Sequence, residues 1–136
     1  MTSRHIVALG GSLLRPEESE QRSAWFGQLR QLAVHLEGNE RRVGIVIGGG
    51  LPAREAIELA QTCVSASDKL DQVGIAATRL NATVIQQVLL DIGCNVAPSI
   101  PHTTFESAEL SEKYNFVVMG GTTPGHTTDA AAVAFA

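Results

Sequence analysis

Three short apolar runs in this chain each close on glycine: His5–Leu9 on Gly10-Gly11-Ser12, Val43–Ile47 on Gly48-Gly49-Gly50, and Tyr114–Met119 on Gly120-Gly121. A glycine turn lets backbone N–H groups approach a phosphate, and a helix opening at the turn adds its partial positive charge. In a parallel sheet such turns gather along the carboxyl edge, where open α/β folds bind ligands. A single glycine turn needs no ligand to explain it, but three converging turns describe an anion site. Two familiar phosphate motifs are absent from the sequence. No Gly-Lys-Ser/Thr follows a glycine run and no G-x-G-x-x-G follows the first strand, which argues against a P-loop and a dinucleotide fold. Lysine is scarce, with Lys69 and Lys113 against eight arginines, so phosphate contacts must rest on backbone amides and arginine.

Arg54 lies in the first turn of the helix expected after Gly50. A cation at that end opposes the helix dipole by about 0.3–1 kcal/mol. The plain explanation is a solvated arginine paired with Glu55 or Glu58. The functional one, which the sequence favours, seats a phosphate between the helix end and the guanidinium fork. The third turn continues through Thr122, Thr123, Pro124, Gly125, His126, Thr127, Thr128 and Asp129. One of Thr127, Thr128 or Asp129 can cap the helix that follows. The remaining hydroxyls and the Pro124-Gly125 turn suit a pocket for a polar planar ligand. Asp71, at the start of a long helix, either stabilises the dipole or accepts hydrogen bonds from two vicinal ribose hydroxyls. His5 and His35 read as surface or core histidines, and His102 sits in a loop without a triad around it.

Holding these groups takes strands and helices in alternation. Polar residues and Pro16 make Leu13 to Glu20 a loop. Trp25, Phe26, Leu29, Leu32, Ala33 and Leu36 recur at helical spacing within a helix from Gln21 to Glu37, which Gly38-Asn39 ends. Pro52 suits the first turn of the next helix, which runs to about Val64. A long helix spans about Asp68 to Ile92, with Val73, Ala76, Leu80, Val84 and Val88 as its apolar stripe and Gly93 as its stop. Asn95 to Ala97 is a short strand before a loop around Pro98 and Pro101, and Thr104 to Ser111 a brief helix. Asp129 to Ala136 begins a helix that is apolar almost all round and so calls for burial on several sides. The pattern implies one α/β domain over residues 1–136, a three-layer sandwich on a mostly parallel sheet.

Composition sets limits on function. With 136 residues, 44% hydrophobic and 18% charged, the chain has the balance of one ordinary globular domain. A net charge of -4 and the lack of a basic run give no footprint for nucleic acid or an anionic membrane. Cys63 and Cys94 lack metal-ligand spacing and read as buried thiols in a reducing compartment. The N-terminus shows no secretory or transit pattern, and no apolar run reads as membrane-spanning. A cytoplasmic location is expected.

The chain resembles the amino acid kinase superfamily, and within it the UMP kinase (uridylate kinase) branch of archaeal type. Val7-Ala8-Leu9-Gly10-Gly11-Ser12-Leu13-Leu14 resembles the family's opening strand and turn. Val46-Ile47-Gly48-Gly49-Gly50 with Ala53-Arg54 resembles its second loop. Asp71-Gln72-Val73-Gly74-Ile75 and Thr78-Arg79-Leu80-Asn81-Ala82 are similar to its long helix. Met119 to Ala130 is similar to its UMP-binding loop. The resemblance implies that Gly49, Asp71 and Thr122, Thr123, Pro124, Gly125, His126, Thr127 and Thr128 hold UMP, with Asp71 on the ribose. Gly10, Gly11, Ser12, Gly50 and Arg54 would face the exchanged phosphates, with Ser12 and Arg54 the catalytic candidates. It also implies ATP as donor, Mg²⁺ with the nucleotide, in-line phosphoryl transfer, and a homo-oligomer, a hexamer in the family pattern, through the Asp68–Ile92 helix.

Two departures qualify this. A lysine that bacterial members carry before the first turn is replaced by Ala8, as in the archaeal-type pattern. Family members also continue past the equivalent of Ala136, where the adenine pocket and a catalytic aspartate lie. The chain is therefore expected to lack the C-terminal half of the fold and a complete ATP site, either as part of a longer kinase or as a reduced, non-catalytic nucleotide- or anion-binding module with a storage or regulatory role. A superfamily kinase acting on a carbamate, an isoprenoid phosphate or an amino acid is the third reading.

Overall fold

The computed structural model describes residues 4–9, 19–38 and 42–121. They form β1 (Arg4–Leu9), α1 (Ser19–Gly38), β2 (Arg42–Ile47), α2 (Gly50–Gln61), α3 (Ser67–Asp91), α4 (Thr104–Lys113) and β3 (Phe116–Met119). The strands make a parallel sheet in the order β1-β2-β3, with Val7 opposite Ile45 and Ile45 opposite Val118. Beyond β3 the sheet gains a parallel bridge between Val96 and Phe116.

The two faces of this sheet are covered unequally. Val43, Ile45, Ile47, Phe116 and Val118 pack under α1 and α3, with Ala82, Ile85 and Leu89 of α3 buried among them. Val46, Val117 and Met119 point the other way, beneath Leu110 of α4. The split follows from crossover handedness. α1 and α3 carry the chain across the sheet in one direction, whereas α4 returns it from Val96 to β3. A reversed direction puts a right-handed crossover on the opposite face. These are the three layers expected from the sequence.

Local signals fix the helix ends. Gly93 takes φ 84° after α3, the Cys94 amide donates to the Leu89 carbonyl at 3.1 Å, and the Gly93 amide donates to the Leu90 carbonyl at 3.0 Å. That double bond behind a left-handed glycine is a Schellman stop. At α4 the Thr103 hydroxyl accepts from the Glu106 amide at 3.1 Å, while a Glu106 carboxylate oxygen accepts from the His102 amide at 2.8 Å. Thr103 thus satisfies one donor the helix leaves open, and Glu106 reaches back to the amide just before the cap.

Several expectations need correction. α1 starts two residues before Gln21, α2 stops at Gln61 rather than near Val64, and α4 runs on to Lys113. Asn95 to Ala97 supplies only the single bridge at Val96, and β3 begins at Phe116 rather than Tyr114. The stripe read on α3 is not the one that faces the core. Ala76 and Leu80 are exposed, and Ala77, Asn81, Ala82, Ile85, Gln86 and Leu89 are buried. Hydropathy alone rotated the helix by about one residue, because two of its buried positions carry amides. α3 is also long and apolar enough, by length and composition, to cross a membrane; its buried side is taken up by the sheet. Cys94 is buried, whereas Cys63 is exposed. Burial pushes the Cys94 thiol up to about 12, helped by its hydrogen bond to Glu37 and that carboxylate's charge. The loop read from Leu13 lies mostly, and the helix read at Asp129–Ala136 wholly, outside the described residues.

Candidate functional site

β1 and β2 end together, with Leu9 opposite Ile47, and Met119 of β3 lies opposite Val46. The three parallel strands therefore end at one edge. Gly48 and Gly49 leave β2 there, and Gly50 opens α2 with φ 58°, a backbone angle suited to glycine. A side chain on Gly49 would run into Ala53. The second turn is thus tight because its own helix folds back on it.

One turn and a half of α3 holds this edge from behind. The Asn81 side-chain amide, fully buried, donates to the Gly48 carbonyl at 2.8 Å and the Gly49 carbonyl at 3.0 Å. The Thr78 hydroxyl accepts from the Gly121 amide at 2.6 Å and donates to the Ile75 carbonyl at 2.6 Å. Gly120 lies so close to Thr78 that a Cβ there would sit 2.8 Å from the Thr78 carbonyl carbon. Two turns separated by some seventy residues are thereby set against each other through side chains three positions apart on one helix.

The loop after Val96 reaches the same edge. Ala97 donates to the Phe116 carbonyl at 2.8 Å and accepts from the Gln86 amide at 3.1 Å. Arg79 then gives its guanidinium to the Ile100 carbonyl at 2.7 Å and the Pro101 carbonyl at 2.9 Å, with the His102 Nε2 at 3.4 Å.

The N-terminal half of α3 stands beyond the sheet, packed against α2, with Gly74 leaving room for Ile57. Asp71 lies on this half, seven residues before Thr78 and hence about 10 Å along the same helix face. It is exposed, and Asp68, not Asp71, occupies the first turn. The dipole explanation for Asp71 therefore passes to its neighbour. Arg54 is exposed and is the fifth residue of α2, one past the first turn. Among the described residues the ion pair within 4 Å is Arg30–Asp91, at 3.8 Å, so Arg54 is not tied to Glu55 or Glu58.

Of the residues singled out from sequence, Gly49 and Gly50 lie in the turn after β2, Arg54 is exposed on α2, and Asp71 is exposed on the N-terminal half of α3. Gly10, Gly11, Ser12 and the run Thr122 to Thr128 lie outside the described residues. Thr78, Arg79, Asn81 and Gln86 were given no role by sequence reasoning. The available signal was weak, because α3 also carries Gln72, Thr83 and Gln87, which are exposed, and nothing in the sequence separates the buried polar positions from these.

An open parallel sheet with glycine turns at its carboxyl edge, and α2 and α3 rising above it, defines a class: α/β proteins whose ligands bind outside the carboxyl ends of the strands. The chain belongs to the amino acid kinase family, whose profile matches residues 3–136. It is 39% identical over 133 residues to a uridylate kinase of Thermoplasma volcanium, covering 97% of this chain and 55% of that protein. With a uridylate kinase of Halorubrum lacusprofundi the identity is 42% over 134 residues, 98% of this chain and 53% of the relative. The crystal structure of uridylate kinase from Archaeoglobus fulgidus superposes with a TM-score of 0.75 at 37% identity, over 98% of this chain and 57% of that one. A UMP kinase from Ureaplasma parvum, at 22% identity, shares the fold with a TM-score of 0.70 over 96% of this chain and 60% of its own. The chain spans about half the length of the curated relatives it matches.

Proposed function

We propose that this chain is the acceptor-binding part of a UMP kinase, which moves the γ-phosphate of ATP onto UMP and releases UDP and ADP in pyrimidine nucleotide biosynthesis. One observation carries the reading: Asn81 and Thr78 of α3 fix the Gly48–Gly49 and Gly120–Gly121 turns on one edge, with Asp71 two turns above on the same helix. That is the span of a nucleoside monophosphate, phosphate at the edge and ribose along α3. The named activity of relatives about 40% identical to the chain supports it.

In this reading Gly49, Gly50 and Arg54 hold the acceptor phosphate, and Asp71 takes the ribose hydroxyls. Thr122, Thr123, Pro124, Gly125, His126, Thr127 and Thr128 close around base and phosphate, and Gly10, Gly11 and Ser12 face the donor phosphates. Phosphoryl transfer asks for in-line placement and charge neutralisation rather than a covalent intermediate. Magnesium is expected as the nucleotide's companion, where its role is to neutralise phosphate charge. Among the described residues no three His, Cys, Asp or Glu side chains come together, so its oxygen ligands would come chiefly from phosphate.

Residues 1–136 act as one domain in this reading, in the cytoplasm. The solvent side of α3 offers the contact for a homo-oligomer. Gln72, Ala76, Leu80, Thr83, Gln87 and Leu90 are exposed along it without a charge, Leu80 by 54%.

Calorimetric titration with UMP, alongside an ATP turnover assay, tests the proposal. UMP binding in preference to AMP and CMP is the expected result. Binding without turnover would instead fit the nucleotide-binding module, and no binding at all would end the acceptor assignment.

A further inference from the structure

The loop Pro98–His102 hangs between two fixed points, the Val96 bridge with Phe116 and the Thr103 cap of α4. Prolines at 98 and 101 remove two of its five amide donors, so the loop can do little to satisfy its own carbonyls. Pro101 is buried all the same, and Ile100 is half-buried. Buried carbonyls require an outside donor, and Arg79 supplies it with both terminal nitrogens. The guanidinium is half-buried and, among the described residues, has no carboxylate within ion-pair distance. Its immediate neighbour Thr78 holds Gly121. Two successive residues of α3 thus fasten two different loops of the carboxyl edge.

We propose that Arg79 is a positioning residue for the acceptor site: its two-pronged grip on Ile100 and Pro101 locks the Pro98–His102 loop in register with the Gly120–Gly121 turn. This rests on the UMP kinase reading above. The planar fork is the feature that matters, because a single ammonium can serve one of the two carbonyls but not both at once.

The test compares Arg79→Gln and Arg79→Lys with the unaltered protein, using Arg30→Gln on the exposed face of α1 as the control. Calorimetry with UMP is the readout, giving affinity and stoichiometry separately. Both Arg79 variants should weaken UMP affinity about ten-fold at unchanged stoichiometry, since a displaced loop misplaces the ligand in every folded molecule. Hydrogen exchange at the Ser99, Ile100 and His102 amides should quicken in both. A merely structural role would lower the melting temperature and the binding stoichiometry without this change in affinity. Wild-type affinity in Arg79→Lys would show that charge, not the fork, is what counts, and would overturn the proposal. Unaltered UMP binding in both variants would overturn it alone, whereas failure of the unaltered protein to bind UMP would overturn the kinase reading with it. Should neither variant fold, Arg79 is a residue of stability and the proposal is wrong.

Discussion

α1 and α3 lie side by side on one face of the same sheet, yet they are held there in different ways. α3 meets the sheet edge through directional bonds: Asn81 to two carbonyls, Thr78 to an amide, Arg79 and Gln86 to the next loop. α1 meets the sheet itself through apolar contact; its directional bonds, Glu37 to the Asn95 amide at 2.6 Å and Arg30 to Asp91 at 3.8 Å, fall at the opposite end of α3 from the carboxyl edge. A cavity of about 220 Å³ remains between α1 and the sheet, lined by Val7, Trp25, Leu29, Leu32, Val43 and Phe116 among others. Hydrophobic burial is non-directional and tolerates sliding. A buried amide with fixed partners does not, because any shift orphans a carbonyl. The comparison teaches that, among the described residues, the carboxyl edge is fixed by side-chain bonds from α3 alone, whereas α1 contributes burial and no bond to that edge.

The largest effect that could break this contrast is expected at Asn81. Asn81→Leu keeps the volume but leaves the Gly48 and Gly49 carbonyls without their donor. Each buried orphan costs about 1–3 kcal/mol, so a loss of about 3 kcal/mol in denaturant midpoint analysis is expected. UMP affinity should fall with it by about a hundred-fold, in line with misplacement of a binding turn. Ile85→Val, equally buried on the same helix, should cost about 1 kcal/mol and leave UMP affinity unchanged. Equal effects on UMP from the two variants would erase the distinction.

Arg54→Ala comes next and separates binding from stability on α2. Arg54 is exposed and unpaired with its neighbouring glutamates, so its removal should leave thermal stability unchanged. UMP affinity should drop by about 1.5–3 kcal/mol, the worth of a charged hydrogen bond to phosphate. Unchanged affinity would remove Arg54 from the site.

A pH-dependent effect on stability, separate from UMP binding, tests the far end of α3. The Cys94 thiol is raised from 9.0 to about 12, by burial first and then by Glu37. A thiol whose folded value is raised favours the folded state fully below its unfolded value. That contribution is lost as pH rises from about 9 toward 12. Stability should therefore decline over that window, and Cys94→Ala should flatten the decline. At pH 8 a thiol reagent should label Cys63, which is exposed, and spare Cys94.

How much of this was legible beforehand depends on the kind of signal. Parallel α/β layering was readable because β2 and β3 are short unbroken apolar runs closed by glycine, and Gly93 and Gly50 announced their own turns. The convergence of the second and third turns was readable from the same repetition. What holds them together was not. Asn81 and Gln86 are polar, and a reading by hydropathy assigns polar positions to solvent, which is why the stripe through Ala76 and Leu80 was preferred. Only the sheet edge, a feature of tertiary structure, supplies the carbonyls that make a buried amide favourable. Arg79 was hidden for the same reason: its partners lie more than twenty residues away, in a loop whose prolines leave its carbonyls in need of a donor.

The smallest effect is expected on the α1 side, where the contrast predicts tolerance. Val7 lines the cavity, faces α1 and is 39% exposed. Val7→Ile adds one methylene beside the groove that Val7 lines with Trp25 and Leu29, where it should be accommodated. A fully buried methylene is worth about 0.8 kcal/mol; partial exposure should roughly halve the gain. Thermal denaturation should show a rise that small, and calorimetry should show UMP affinity unaltered, because no bond to the carboxyl edge passes through α1. If filling this cavity changed UMP binding several-fold, the two helices would not be independent. The loose packing beneath α1 would then have to be counted as part of the site.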